Sequence, residues 1–596
     1  MNLPRTGDYA PIEDYAVLGD GRTVALVAAD GSVDWWPVPT LHAPPICAAL
    51  LNPPQGGRFS LAPVGCFHSQ RRYLPDTNVL ETTYQTDSGS VRVTEALNSG
   101  MAGRLPWTEL ARCVKGLDGH VRMQWSFFPG DRFGSARPWA SLRSGMPVIV
   151  VQDQIMALIV HGADPGRISA HGVIGEAVVG VEDRLLITVV VTDDEPLFIP
   201  DRTSIEHRID HSIRSWREWA TGVEYEGPWR ETIVRSALAL KTLFYEPGGA
   251  IAAAATTSLP ERIGGDKNWD YRFSWIRDSS FTIDAFISLG LHEEAHASVS
   301  WLLAALRNHG PDLHVFYTLD GGVPEDQVEL AAPGYRGSQP VRSGNGAAAQ
   351  RQLGNFGDLF DTIFRYVNAG HLLDRTTALV LTDLADRCCD HWMDRDSGIW
   401  ELDRLEHYTI SKIGCWVALD RAGKLARDGQ LPNEHTSRWF DEASEIKSWV
   451  DEHCWSADQF SYTMFAGSDE LDASVLLAGR TGFECGDRLA LTIEAIQGGL
   501  GVLDSPLLYR YSGMREEEGA FVACTFWMVD ALVRTGRLND ATSLMGRAVR
   551  LVSELGLLSE QIDPSDGSFL GNFPQGLSHL ALINAAQTLV RFGSLV

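Results

Sequence analysis

The sequence predicts two architectures in series, an N-terminal antiparallel β-sandwich followed by an (α/α)6 barrel. Three observations carry that expectation. The residue period is strand-like up to about residue 205 and helical from Pro228 onward. About twelve helix-like segments then follow. Nearly every motif-like stretch falls in alternate connections between them, while the intervening links, such as Ala369-Gly370-His371 and Thr535-Gly536-Arg537, are short and plain.

In the first half, Val121-Arg122-Met123-Gln124-Trp125-Ser126-Phe127 alternates apolar and polar residues, as a half-buried antiparallel strand does. Pro147-Val148-Ile149-Val150-Val151 and Leu185-Leu186-Ile187-Thr188-Val189-Val190-Val191 are β-branched runs between Gly and Asp turns. Many short strands at this spacing suggest a sandwich. The charged stretch from His207 to Trp219 is helical and bridges to the second half. The expected division is a sandwich over 1–205, a helical linker over 206–227 and a barrel over 228–596.

Pro228 suits a first helical position. The helices are expected at 228–246, 275–290, 292–308, 352–369, 371–393, 408–427, 435–454, 469–479, 485–498, 519–536, 538–555 and 576–592. Odd-numbered members read as outer. In the eleventh, Ala541, Leu544, Met545, Ala548, Leu551 and Val552 form one apolar stripe. Even-numbered members read as inner, and Gly576 to Val590 carries no Asp, Glu, Lys or Arg. Apolar helices inside and amphipathic ones outside make a double ring, and the alternation of loop lengths puts the motif loops at one rim. Loops at one end of a rigid scaffold are where catalytic groups usually sit.

A chain of 596 residues exceeds one ordinary core. Its 44% hydrophobic and 21% charged content is that of a soluble globular protein. A formal charge of −27 argues against nucleic acid or an anionic membrane as partner. No uncharged apolar run reaches about 18 residues, so no membrane span is expected, and the N-terminus lacks the apolar core of a secretory signal. Nine scattered cysteines without a Cys-x-x-Cys read as a reduced, cytoplasmic protein with no structural zinc, and Cys388-Cys389 as two buried thiols.

Two glutamates stand out on the expected rim. Glu401 follows Gly398-Ile399-Trp400, and Glu560 lies in Leu557-Leu558-Ser559-Glu560-Gln561. Each has an apolar approach, so burial is expected to raise its pKa. Two carboxyls across a cleft can cleave an acetal, one protonating the leaving oxygen and the other deprotonating a water. Arg277-Asp278 reads either as a helix cap or as a pair gripping sugar hydroxyls. Trp269, Trp275 and Trp400 suit either sugar stacking or core filling. The acidic runs Glu325-Asp326 and Glu516-Glu517-Glu518 lack a cation-loop spacing and read as solvated charges.

The order of the motifs adds a resemblance. Ile12-Glu13-Asp14-Tyr15, Gly31-Ser32-Val33-Asp34-Trp35, Trp275-Ile276-Arg277-Asp278, Gly334-Tyr335-Arg336-Gly337-Ser338, Gly398-Ile399-Trp400-Glu401, Cys524-Thr525-Phe526-Trp527, Ser559-Glu560-Gln561 and Asn572-Phe573-Pro574-Gln575-Gly576 run nearly end to end. With them the chain resembles glycoside hydrolase family 15, the group of glucoamylases, glucodextranases and bacterial trehalases. The resemblance implies the same sandwich and barrel, and an inverting, exo-acting α-glucoside hydrolase that releases β-glucose. It implies Glu401 as general acid and Glu560 as general base. Arg277 and Asp278 would hold the non-reducing glucose, with Trp275, Trp400 and Arg510 in the same pocket. Neither metal nor cofactor is expected.

The expected substrate is a small α-glucoside, trehalose first, with maltose, isomaltose or longer α-glucans as the alternative. The presence of both carboxyls argues against a phosphorylase and against an inactive carbohydrate-binding protein. The chain departs from the common family pattern at Leu402-Asp403-Arg404, at Gln339 and at Thr40-Leu41-His42-Ala43.

Overall fold

Alternation along the strand Thr108–Pro129 becomes two surfaces: Val121, Met123, Trp125 and Phe127 are buried, while Arg122 and Gln124 are exposed. This computed structural model describes residues 5–100 and 105–593. The same 22-residue strand belongs to both layers of the sandwich. Its first part pairs antiparallel with Gly89–Leu97 and Arg184–Asp193, and its second with Gly57–Pro63 and Val173–Gly180. The strand changes layer near Gly116, where a Cβ would stand 1.8 Å from the Gly180 carbonyl oxygen, so only glycine fits. Val91, Leu110 and Val189 from one layer meet Phe59, Trp125 and Phe127 from the other in a single core. The β-branched runs lie in the strands Met146–Val151 and Arg184–Asp193.

Thirteen α-helices follow among the described residues: α1 (Arg202–Thr221), α2 (Arg230–Leu243), α3 (Ile276–Ser288), α4 (His292–His309), α5 (Gly354–Asn368), α6 (Arg375–His391), α7 (Thr409–Arg427), α8 (Thr436–His453), α9 (Leu477–Thr481), α10 (Asp487–Leu500), α11 (Val522–Arg534), α12 (Leu538–Ala548) and α13 (Gly576–Gly593). α3, α5, α7, α9, α11 and α13 touch in that order, and α13 returns to α3, which closes an inner ring. α5 and α7 approach closely because Gly357 and Gly414 face each other; a Cβ at Gly357 would lie 2.5 Å from the Gly414 carbonyl oxygen. No helix among the described residues is long and apolar enough to cross a membrane.

Four details differ from the expectations. The first barrel helix opens at Arg230 after Trp229, whose φ is +65°, so Pro228 precedes the helix. α2 is buried on nearly every side rather than on one, because the sandwich covers it: the Asn78 amide donates to the Leu238 carbonyl and Arg235 donates to that of Thr77. The eighth barrel segment is a 3-10 turn, Ala473–Leu476, followed by the short α9. Residues just upstream are taken by tertiary pairing, with Asp472 bridged to Tyr511. The eleventh leaves the α-helix at Ala548, continues as a 3-10 turn over Val549–Leu551, and turns extended at Val552.

Candidate active site

The long loops precede the inner helices, so the cleft they form faces helix N-termini, the positive ends of the peptide dipoles. The cleft encloses about 340 Å3. All seven residues singled out from the sequence line it: Trp275, Arg277, Asp278, Trp400, Glu401, Arg510 and Glu560.

Glu401 sits on the loop before α7 with a backbone φ of +61°, a conformation costly for a residue with a Cβ and one that clusters at functional sites. Neighbours hold it there: the Gln350 amide donates to the Glu401 carbonyl at 2.9 Å, and Arg277 Nη1 donates to that of Ile399 at 2.8 Å. The Glu401 side chain remains 18% exposed. Its Oε1 accepts the Trp275 indole N–H at 2.7 Å and stands 3.9 Å from Arg277 Nη1. Burial raises its pKa, and Arg277 and the Trp275 N–H oppose that rise.

Asp278 is not a helix cap. It lies in the first turn of α3, whose N-cap residue is Trp275, and its Oδ2 takes Arg277 Nε at 3.0 Å and Nη2 at 2.9 Å. Its Oδ1 is buried without a hydrogen-bond partner among the described residues, an acceptor suited to a ligand hydroxyl. The sequence left cap and clamp open; the geometry removes the cap.

Glu560, on the loop before α13, is 1% exposed. The loop is tied to α13: the Leu558 N–H donates to His579 Nε2 at 3.1 Å, and Ser578 Oγ donates to the Ser559 carbonyl at 2.8 Å. Burial pushes the His579 pKa down to about 3, which keeps the imidazole neutral and able to accept. Glu560 Oε2 accepts the Asn572 N–H at 3.3 Å, and the Tyr271 hydroxyl also bonds the carboxyl. Burial pushes Glu560 up to about 7, against the opposing effects of Arg510, Tyr271 and the Asn572 N–H. Gly571 presses on it, since a Cβ there would lie 2.3 Å from Glu560 Oε2.

Arg510 joins the cleft through a buried cluster. Its Nε donates to Glu518 Oε1 at 2.6 Å and its Nη2 to Glu261 Oε2 at 2.7 Å. Glu518, expected to be solvated with its neighbours, is buried, while Glu516, Glu517, Glu325 and Asp326 are exposed. The pull of the Arg510 guanidinium draws Glu518 inward.

The tryptophans divide. Trp275 is 1% exposed, its ring stacked on Phe316 with centroids 4.3 Å apart, so what it presents to the cleft is its N–H on Glu401. Trp400 is buried and gives its N–H to Asp472 Oδ1 at 2.8 Å. Trp269 is half-buried, lines the cleft and stacks under Arg342. Among the departures from the family pattern, Leu402 and Asp403 line the cleft, whereas Gln339 lies off it with its amide on the Ala332 carbonyl at 3.1 Å. The carbonyls of His42 and Ala43 accept from Arg272, which also pairs with Asp270 just before the cleft residue Tyr271. No cluster of three or more His, Cys, Asp or Glu side chains suited to a metal occurs among the described residues.

Sequence reasoning assigned no role to Glu261, Tyr271 or Glu518, although Glu518-Gly519 is one of the stretches that carry the family resemblance. Tyr271 was in view within Asn268-Trp269-Asp270-Tyr271, but nothing marked its hydroxyl. Glu261 follows Pro260 with no spacing that ties it to Arg510, 249 residues away.

Comparison with known proteins is consistent along the whole chain. Residues 227–587 match the family model described as glycosyl hydrolases family 15, and residues 5–191 match that of a trehalase-like N-terminal domain. The trehalase of Mycobacterium tuberculosis is 35% identical, over 99% of this chain and 91% of its own. The trehalase of Thermoplasma volcanium is 30% identical over 98% of this chain and 94% of its own. A bacterial glucoamylase solved in complex with acarbose superposes with a TM-score of 0.73 at 13% identity, over 98% of this chain and 95% of that one, and so shares the fold.

Proposed function

Because this chain belongs to glycosyl hydrolases family 15 and is a glycoside hydrolase, we propose that it inverts the anomeric centre of a small α-glucoside, releasing β-glucose from the non-reducing end, with trehalose as the preferred substrate. The observation that carries the reading is one cleft holding two carboxyls, half-buried Glu401 and buried Glu560, with the Arg277–Asp278 pair beside Glu401. Arg277 donates to and Asp278 accepts from the hydroxyls of the terminal glucose. Glu401 protonates the departing glycosidic oxygen while Glu560 takes a proton from the water that attacks the anomeric carbon. Glu401 ends ionised and Glu560 protonated, and exchange with solvent resets both. The trehalase relatives, similar over nearly the full chain, favour trehalose. A cytoplasmic location, favoured by the scattered cysteines, suits a small sugar better than an external polymer.

The free enzyme imposes one condition on these roles. Glu560 must be ionised to act as base, yet burial pushes it up to about 7. Its proton is therefore lost as pH rises through about 7, and kcat/KM falls on the acid side of that value.

Proton NMR of the purified protein with trehalose, maltose or isomaltose in separate phosphate-free tubes tests the reading. Early β-glucose from trehalose is the expected signal. The glucose that leaves keeps its α configuration, so α-glucose accompanies the β-glucose in equal early amount; α-glucose with no early β-glucose contradicts inversion, and turnover of maltose or isomaltose alone contradicts the substrate.

A further inference from the structure

Three buried carboxyls, of Glu261, Glu518 and Glu560, lie within electrostatic reach of the single guanidinium of Arg510. Their partners are unequal. Glu518 accepts from both Nε and Nη2 of Arg510, and Lys267 Nζ adds a contact at 3.3 Å. Glu560 has the Asn572 N–H and the Tyr271 hydroxyl. Glu261 has one basic donor, Arg510 Nη2, and its carboxyl also shares a hydrogen bond with that of Glu518, which requires a proton on one of the two. A buried carboxylate given a single basic donor and facing two other carboxyls is the member least able to stay ionised.

We propose that Glu261 is a positioning residue that acts as a neutral carboxylic acid, holding Arg510 in place while leaving the guanidinium charge to favour ionised Glu560. This rests on the reading of Glu560 as the base. The groups facing Glu261 are Arg510 and Glu518 from the loop before α11, Glu560 from the loop before α13 and Tyr271 from its own loop; those facing Glu560 are Arg510, Glu518, Glu261 and Tyr271. Burial is the largest influence keeping the proton on Glu261; Glu518 and Glu560 reinforce it, and Arg510 opposes it. Neutral Glu261 resolves the condition on the base. Were Glu261 ionised, a further negative charge would stand beside Glu560 and hold its proton on just where catalysis needs it off.

The test is the pH dependence of kcat/KM for trehalose in the full-length wild type and in Glu261→Gln, Glu261→Ala and Glu560→Gln. Glutamine is neutral and can still accept from Arg510. Glu261→Gln is expected to keep activity within about threefold and to leave the acid limb unmoved. Glu261→Ala frees Arg510 and is expected to lower kcat/KM about tenfold or more and to move the acid limb to higher pH. A shift of the Glu261→Gln acid limb to lower pH by about one unit overturns the proposal, because it means a negative charge was removed. Wild-type behaviour of Glu261→Ala overturns it as well. Glu560→Gln separates the two failures. If it is inactive, the base assignment stands whatever Glu261 does; if it is active, the base assignment falls and the proposal with it.

Discussion

The loop before α7 and the loop before α13 each present a carboxyl to the same cleft, but they hold it by different means. Glu401 is partly open to solvent, rests on a strained backbone, and has one N–H and one nearby cation. Glu560 is sealed in, has a relaxed backbone neighbour in Gly571 pressed against it, and answers to a cluster of charges reached through Arg510. The contrast fits the two tasks proposed for them. A group that protonates a departing oxygen must meet a substrate that enters and leaves, so it stands at an accessible point and relies on backbone geometry for aim. A group that activates a water can sit deep, where burial and fixed charges set its proton affinity. Two identical side chains are thus separated by environment alone.

The contrast can be broken at several points. The largest effects are expected from the carboxyls themselves: Glu401→Gln and Glu560→Gln should each cut turnover of trehalose by about 10² or more. α-Glucosyl fluoride, whose leaving group needs no proton, should sharpen the difference. It should restore much of the activity of Glu401→Gln and none of that of Glu560→Gln; rescue of the second variant instead would exchange the two roles.

Gly571→Ala comes next. A methyl group 2.3 Å from Glu560 Oε2, at a φ of +70°, must displace the carboxyl, and kcat should fall by about 10 to 10² with KM little changed. An unchanged kcat would mean that Glu560 need not be held where it lies.

Trp275→Phe touches only the other wall. It removes the N–H that favours ionised Glu401, so the alkaline limb of kcat/KM should move to higher pH and the rate should drop about tenfold. Movement of the acid limb instead would contradict the assignment of the acid.

The smallest effect is expected from Asp472→Ala. Asp472 accepts the indole N–H of Trp400, next to Glu401, and also caps the 3-10 turn through the Ser474 N–H. Loss of both contacts should lower Tm, at a cost of about 1–3 kcal/mol, and should slow kcat only a few-fold. A loss as large as that of Glu401→Gln would make Trp400 part of the reacting centre.

Much of this site was legible in the chain because its members cluster in three short runs. Trp275-Ile276-Arg277-Asp278 puts the proposed hydroxyl clamp in the first turn of α3, and Trp400-Glu401 and Ser559-Glu560-Gln561 bring the proposed acid and base to the cleft. Aromatic and charged residues side by side in a loop between apolar helices are a local signal. Glu261 and Glu518 carried none. Glu261 is a single glutamate in a polar loop and Glu518 the last of an acidic run, and Arg510 draws the two together only when the loops before α3 and α11 meet. The short α9 was missed for a related reason: helix periodicity ran on through residues that the fold spends on pairing with Tyr511.

The sequence by itself determined the two-part architecture, the alternation of inner and outer helices, and which loops line the cleft, because hydrophobic period and loop composition are local properties of the chain. Tertiary structure alone decided which carboxyls are buried, which indole offers an N–H rather than a face, that Asp278 pairs with Arg277 instead of capping its helix, and that three glutamates share one arginine. Those outcomes depend on distances between residues far apart in sequence, and in a buried site such distances set hydrogen bonding and charge.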